Sequence, residues 1–176
     1  MKELPEARIY LKNNGEELLY DGEKIEEVNG ACDVILKSIK DLDRECAVVL
    51  SLSAKLKPLN YNKISIGTEY NVTIPIKNVF KPAILDNASY IIFFHNHPDE
   101  EIPYPSRNDI ALIRKLIRAG NLLNIKVIDN FIAGGKGFHR LGKEIIDEMN
   151  KDLDKEDKLA EEQFIDKFEE KILNID

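Results

Sequence analysis

The stretch YIIFFHNHPDEEIPYPSRND, residues 90–109, joins an apolar run to a helical repeat and carries two of the chain's three histidines. Its first five residues are continuously apolar and bounded by turns, which predicts a strand buried on both faces. In SRNDIALIRKLIRAG, apolar residues recur at helical spacing, with Ser106 as the predicted N-cap and Gly120 as the predicted end. The stretch therefore predicts a strand, an acidic proline-containing loop and a helix.

The same alternation of strands and helices continues on both sides of this stretch. The other predicted elements are a helix over 24–42, strands over 45–53 and 63–68, a helix over 74–87 and a strand over 125–135. Pro82 is expected to kink the helix over 74–87 or to end it early, because an interior proline costs about 3 kcal/mol. Alternating helices and strands are typical of an α/β sandwich, which is the predicted fold class.

The two ends of the chain are expected to be appendages to a central domain. Asn14-Gly15 between two β-prone runs predicts an N-terminal hairpin within residues 1–23. From Lys143 the sequence has the pattern of an acidic amphipathic helix, which either packs on the domain or offers a surface to a partner protein. The predicted organisation is a hairpin over 1–23, a domain over 24–142 and a helical tail over 143–176.

The composition fits one globular domain. The chain has 176 residues, of which 43% are hydrophobic and 32% charged. The net charge of −7 and the pI near 5.1 make direct nucleic-acid binding an unfavourable hypothesis, because the lysines and arginines are scattered. No apolar run approaches the roughly 20 residues that a membrane-spanning helix needs, so membrane insertion is not expected.

The N-terminus and the cysteines favour a cytoplasmic location. The opening sequence MKELPEARIY lacks the apolar core of a signal peptide. Cys32 and Cys46 have neither metal-binding nor redox spacing, which indicates two reduced thiols. We therefore expect a cytoplasmic protein.

The two histidines of the quoted stretch suggest a metal site. Residues two apart on a strand point to the same face, so His95 and His97 project together while Asn96 points the other way. Two neutral imidazoles side by side are suitable zinc ligands. Asp109, on the first turn of the following helix, could supply a third ligand, and Ser106 lies at the same helix end.

Simpler interpretations of these residues stay open. Ser106 and Asp109 are close to a capping box, in which both side chains satisfy the helix N-terminus. His95 and His97 could be hydrogen-bonded core residues. The letters His-Asn-His also suggest an HNH nuclease, but those enzymes spread the three residues over a longer ββα unit.

The combination of these motifs resembles the JAB1/MPN/Mov34 metalloprotease family, and within it the RadC-like branch. The matching segments, joined by ISIGT to FKPAILDNAS, are DRECAVVLSLSAKL (43–56), HNHP (95–98), PSRND (105–109) and AGNLLNIKVIDNFIAGG (119–135). The resemblance covers about residues 25–141. It implies a JAB/MPN-like mixed β-sheet sandwiched by helices, with the layers of a cytidine-deaminase-like architecture.

The resemblance also implies a role for each matching residue. His95, His97 and Asp109 match the ligands of a catalytic Zn²⁺, with water in the fourth position. Glu45 matches the general base, and Ser106 matches the serine that polarises the scissile carbonyl. The implied reaction is hydrolysis of a peptide or isopeptide bond in a protein substrate. The rival interpretations are a non-catalytic JAB-fold interaction module and an accessory protein in DNA repair or mobile-element processing.

The chain departs from the family pattern at three places. The loop between the second histidine and the aspartate is one residue longer than usual, which leaves Asn108 as a competitor of Asp109 for the ligand position. The loop reads Asp-Glu-Glu at 99–101 where Ser-Gly-Asp is usual, and this acidic run is expected to favour a basic substrate segment. Asn130 follows Asp129 where the RadC-like branch has histidine.

Overall fold

The protein is described by a computed structural model over residues 25–66 and 74–173. Its elements are α1 (Ile25–Ile39), β1 (Cys46–Leu52), β2 (Pro58–Ile66), α2 (Ile76–Leu85), β3 (Tyr90–Asn96), α3 (Arg107–Leu123), β4 (Lys126–Ala133), β5 (Phe138–Arg140) and α4 (Gly142–Leu173). The hairpin predicted within residues 1–23 lies outside the described residues.

The described strands form one mixed sheet in the order β2-β1-β3-β4-β5. β1 runs antiparallel to both β2 and β3, whereas β3 and β4 are parallel and are connected by α3. β3 is therefore the central strand, and its side chains are buried on both faces from Ile91 to Asn96, as its continuous apolar run predicts.

Helices cover both faces of this sheet, which confirms the predicted α/β sandwich. Alternate residues of β1 separate into two cores, because successive side chains of a strand point to opposite faces. Val48 and Leu50 pack on the α1 side with Ile35, while Ala47 and Val49 pack on the side covered by α2, α3 and α4.

α2 runs from Ile76 to Leu85 and contains the buried Pro82, so the helix does not end at this proline. The predicted end of the next helix is wrong. α3 does not close at Gly120 but continues to Leu123, where Asn124 takes the left-handed cap conformation. A Cβ on Gly120 would lie 2.5 Å from the Ile125 carbonyl oxygen, so this glycine permits close packing and does not end the helix.

The first half of α4 packs on the domain. Ile146 and Leu153 are buried in the same core as β1 and α3, and Met149 packs against them. Glu156 accepts from Arg114 at 2.8 Å and thereby also ties α4 to the neighbouring α3. Further along, Leu159 is 57% exposed, so at this residue α4 no longer packs its apolar side chains against the domain. Within residues 25–66 and 74–173, none of the helices combines the length and the hydrophobicity that a membrane span requires.

Candidate metal centre

The two histidines emerge together at the end of the central strand. His95 is buried and His97 half-buried, and their Nε2 atoms lie 3.2 Å apart. Asn96, between them, points to the opposite face, as strand alternation predicts. His97 lies just beyond the last residue of β3, and its backbone N–H donates to Ala133 of β4 at 2.8 Å. Pairing with β4 thus holds the backbone of both histidines in place.

The N-terminus of α3 brings Asp109 to the same point. Ser106 caps the helix: its Oγ accepts from the Asp109 N–H at 3.2 Å, and its N–H donates to Asp109 Oδ2 at 2.7 Å. Asp109 Oδ1 lies 3.1 Å from His95 Nε2, and Oδ2 lies 3.5 Å from His97 Nε2. Asp109 therefore forms the capping box with Ser106 and also approaches the two histidines. The neighbouring Asn108 is exposed.

These three side chains are spaced as ligands of one metal ion. One donor atom from each of His95, His97 and Asp109 lies within 4.8 Å of the others. Zinc bonds of about 2.0–2.1 Å in a tetrahedron place neighbouring ligand atoms about 3.3 Å apart. The contacts of 3.1, 3.2 and 3.5 Å match that spacing. His95, His97 and Asp109 therefore fit a single metal ion such as the Zn²⁺ that the resemblance implies.

The electrostatics of the cluster favour an ionised carboxylate. Burial is the largest influence on Asp109 and raises the pKa of its carboxyl, but the hydrogen bonds with His95 and His97 together outweigh it and hold the pKa below its usual range. The hydrogen bond with Asp109 raises the pKa of His97, against the opposing effect of burial.

Glu45 is half-buried and immediately precedes β1. The carboxylate of Glu45 is not part of the close cluster formed by the described residues His95, His97 and Asp109. Asn96 holds the backbone on both sides of Glu45: the Cys46 N–H donates to its Oδ1 at 2.6 Å, and its Nδ2 donates to the Arg44 carbonyl at 3.1 Å.

A family model described as the RadC-like JAB domain matches residues 25–145, which include every element from α1 to the start of α4. The chain belongs to this family. Its RadC-like JAB domain is also similar to curated proteins that carry the name UPF0758.

A UPF0758 protein of Desulforamulus reducens is 39% identical over 110 residues, which cover 62% of this chain and 48% of the relative. One of Caldanaerobacter subterraneus is 34% identical over 131 residues, which cover 74% of this chain and 54% of the relative. One of Methanococcoides burtonii is 34% identical over 122 residues, which cover 69% of this chain and 52% of the relative. The chain spans about half the length of these curated relatives.

The loop that joins β3 to α3 in this RadC-like JAB domain is fixed against the turn between β4 and β5. The backbone N–H groups of Gly135 and Lys136 donate to the carbonyls of Glu100 and Glu101 at 2.9 and 2.8 Å. A Cβ on Gly134 would lie 2.5 Å from the Glu100 carbonyl oxygen, so only glycine permits this approach. The loop is thus anchored on both sides, and Asp109 lies beside the histidines.

Sequence reasoning missed two residues that support this site. Asn96 was predicted only to point away from the histidines, yet a polar residue in a buried strand requires hydrogen-bond partners, which is a usable signal. Glu100 was grouped with its acidic neighbours, but its Oε1 lies 3.3 Å from His97 Nδ1. Because Glu100 follows His97 by only three residues, the sequence could have indicated that the two side chains lie close together.

Proposed function

We propose that this protein is a zinc-dependent JAB-domain hydrolase that cleaves a peptide or isopeptide bond in a protein substrate. The observation that carries the proposal is the triangle of His95 Nε2, His97 Nε2 and an Asp109 carboxylate oxygen. Three protein ligands leave one position of a tetrahedron for water, which is the arrangement of catalytic zinc sites. Zn²⁺ held there would supply a Lewis acid for the carbonyl and a water that ionises near neutral pH.

Ser106 is the proposed donor to the carbonyl oxygen of the scissile bond. Its Oγ accepts the Asp109 N–H as the helix cap, which leaves the hydroxyl proton free to be donated. The side chain is exposed at the edge of the metal centre. A donor fixed by a helix cap is already oriented before the negative charge develops on the oxygen, and this is what makes such donors effective.

Glu45 is the proposed general base. Ala47 pairs with His95 in the antiparallel register of β1 and β3. Glu45 lies two residues before Ala47, the spacing at which side chains of an extended chain share a face, and this supports a place for Glu45 on the face of the metal ligands. From there the Glu45 carboxylate would accept the proton of the attacking water and return it to the leaving amine nitrogen.

Zinc binding is the first test. We expect one Zn²⁺ per chain in the wild type and loss of tight binding in His95→Ala, His97→Ala and Asp109→Ala. Asn108→Ala is the matched control, because Asn108 is the adjacent exposed residue that spacing alone could also have selected. Metal content after dialysis and affinity by chelator competition measure the outcome. Loss of zinc in Asn108→Ala with retention in Asp109→Ala would show that the ligand assignment is wrong.

Hydrolysis is the second test. Wild type and Glu45→Gln are compared, both loaded with zinc, on quenched linear peptides and on peptides joined through a lysine side chain. We expect turnover by the wild type and a loss of at least about 100-fold in Glu45→Gln with zinc retained, since general bases typically contribute that much. Equal rates would assign the hydrolysis to a contaminant or to another site.

The acidic loop is proposed to favour a basic substrate segment. Two of its carboxylates have partners within the protein: Glu100 lies beside His97, and Glu101 pairs with Lys136 at 2.5 Å. Asp99 is exposed and is the residue of the loop that we expect to steer a substrate. Asp99→Asn should therefore raise KM for lysine-rich peptides and leave kcat unchanged.

The second candidate function is a protein-interaction module, for which α4 supplies the observation. The helix reaches Leu173, and Leu159 is exposed beyond the part that packs on the domain. We propose that this outer part of α4 contacts a partner protein in the cytoplasm. The interaction role without catalysis predicts zinc binding but no Glu45-dependent turnover in the assay above, and salt-dependent DNA binding would instead favour an accessory role in DNA processing.

A further inference from the structure

The two ring nitrogens of His97 face different partners. Nε2 faces the metal centre, at 3.2 Å from His95 Nε2 and 3.5 Å from Asp109 Oδ2. Nδ1 lies on the other side of the ring, 3.3 Å from Glu100 Oε1. The distance is that of an ion pair, while the angle falls outside hydrogen-bond geometry. A carboxylate behind a ligating imidazole is a frequent outer partner in metal sites, because it fixes the tautomer and the orientation of the ring.

Glu100 is itself held in place by its own backbone and side chain. Its N–H donates to the His97 carbonyl at 3.2 Å, and its carbonyl accepts from Gly135 at 2.9 Å. Its second carboxylate oxygen, Oε2, accepts the Tyr104 N–H at 3.2 Å. Three contacts to three parts of the chain thus fix the carboxylate that faces His97.

The neighbouring acidic residues lack this relationship. Glu101 has the same charge and lies one residue further, but it pairs with Lys136 on the β4–β5 turn. Neither His95 Nδ1 nor His97 Nδ1 has a hydrogen-bond partner among the described residues, but His97 Nδ1 has the Glu100 carboxylate at ion-pair distance.

We propose that Glu100 is a positioning residue of the metal centre, which holds the proton of His97 on Nδ1 and so presents Nε2 as the ligand. The inference rests on the proposed zinc site and extends it to the longer acidic loop. That loop then has a role in metal binding in addition to connecting β3 to α3. Removing such an outer partner typically lowers metal affinity by 10–100-fold.

The experiment measures Zn²⁺ affinity by chelator competition in wild type, Glu100→Ala, Glu100→Gln and Glu101→Ala. We expect a loss of about 10-fold or more in Glu100→Ala. Glu100→Gln should show a smaller loss, because the amide oxygen can still accept a hydrogen bond from the Nδ1–H of His97. Glu101→Ala is the matched control and should change the affinity less than about threefold, since an exposed charge acts only through a screened field.

A second readout reports the tautomer directly. Long-range ¹H–¹⁵N correlations of His97 in the zinc-loaded proteins should show the proton on Nδ1 in the wild type. In Glu100→Ala, weakened or exchanging His97 signals are expected. Glu100→Gln keeps the side-chain size, so it decides the matter if the alanine variant fails to fold.

The failure of the zinc site and the failure of the positioning role give different results. A wild type that binds no zinc overturns the metal centre and the role of Glu100 with it. A wild type that binds zinc, with both Glu100 variants within about twofold of its affinity, overturns the role of Glu100 alone. Equal losses in Glu100→Ala and Glu101→Ala also overturn it, because they would reflect general charge and not contact with His97.

Discussion

The backbone N–H of Cys46 donates a 2.6 Å hydrogen bond to Oδ1 of Asn96, which lies 50 residues away in the sequence. The same side chain donates through Nδ2 to the Arg44 carbonyl. Asn96, the residue between the two histidines, is therefore hydrogen-bonded to the backbone on both sides of Glu45. The two histidines lie at the end of β3 and the proposed general base lies just before β1, and the Asn96 side chain links these two segments.

Asn96→Ala should destabilise the protein by about 1–3 kcal/mol, because it removes the buried side chain that bonds to the Cys46 N–H and to the Arg44 carbonyl. Urea unfolding followed by circular dichroism measures the free energy of unfolding. Asn108→Ala, an exposed position nearby, is the control and should lie within about 0.5 kcal/mol of the wild type. An equally small effect of Asn96→Ala would mean that water replaces both hydrogen bonds.

Gly134→Ala should disturb the acidic loop. The added Cβ would lie 2.5 Å from the Glu100 carbonyl oxygen and 2.7 Å from Pro103 Cδ, so the loop or the turn must move. Overpacking of this kind typically costs about 1–3 kcal/mol. Gly137→Ala is a matched control in the same turn, since nothing lies within 4 Å of its Cβ position. Thermal unfolding of the two variants should separate them, and equal melting temperatures would contradict the close approach.

Asp129→Asn should destabilise the junction of β4, β5 and α4. The buried carboxylate accepts from Arg140 Nε at 2.6 Å, from Asn130 N–H at 2.8 Å and from Gly142 N–H at 3.0 Å. Loss of charge-assisted hydrogen bonds is expected to cost about 1.5–3 kcal/mol. Arg140→Gln should cost less, because the arginine is half-exposed and the two backbone donors remain. Denaturant unfolding of both variants checks the order, and a larger loss in Arg140→Gln would reverse the assignment.

Cys32 should stay protonated and unreactive in the folded protein. Burial is the largest influence, followed by the charge of Asp129, and together they raise the pKa of the thiol from 9.0 to about 12. Thiol reagents at pH 8 should therefore label Cys32 only after denaturation. Above pH 9 the unfolded state loses this proton while the folded state keeps it, so the contribution of Cys32 to stability should fall between pH 9 and about 12. Comparison of wild type with Cys32→Ala isolates this contribution, and rapid labelling of native Cys32 would refute it.

The sequence by itself determined the local parts of this protein. The apolar run of β3, the shared facing of His95 and His97, and the capping box of Ser106 and Asp109 follow from periods of two and from spacing over one helical turn. Such patterns depend only on backbone geometry within a few residues. For the same reason the α/β alternation and the position of α3 could be predicted without knowledge of the neighbouring elements.

Only the tertiary structure decided the parts that depend on contacts between distant segments. Counting from the second histidine pointed to Asn108 and matching from Pro105-Ser106 favoured Asp109, but only the packing of the α3 cap against β3 brings Asp109 beside the histidines. Gly120 had the pattern of a helix end, but the approach of Ile125 requires a residue without Cβ inside the helix. Glu100 gained its contact with His97 because the turn at Gly135 holds the loop. In each case the deciding energy is packing or hydrogen bonding across the fold, which local spacing does not encode.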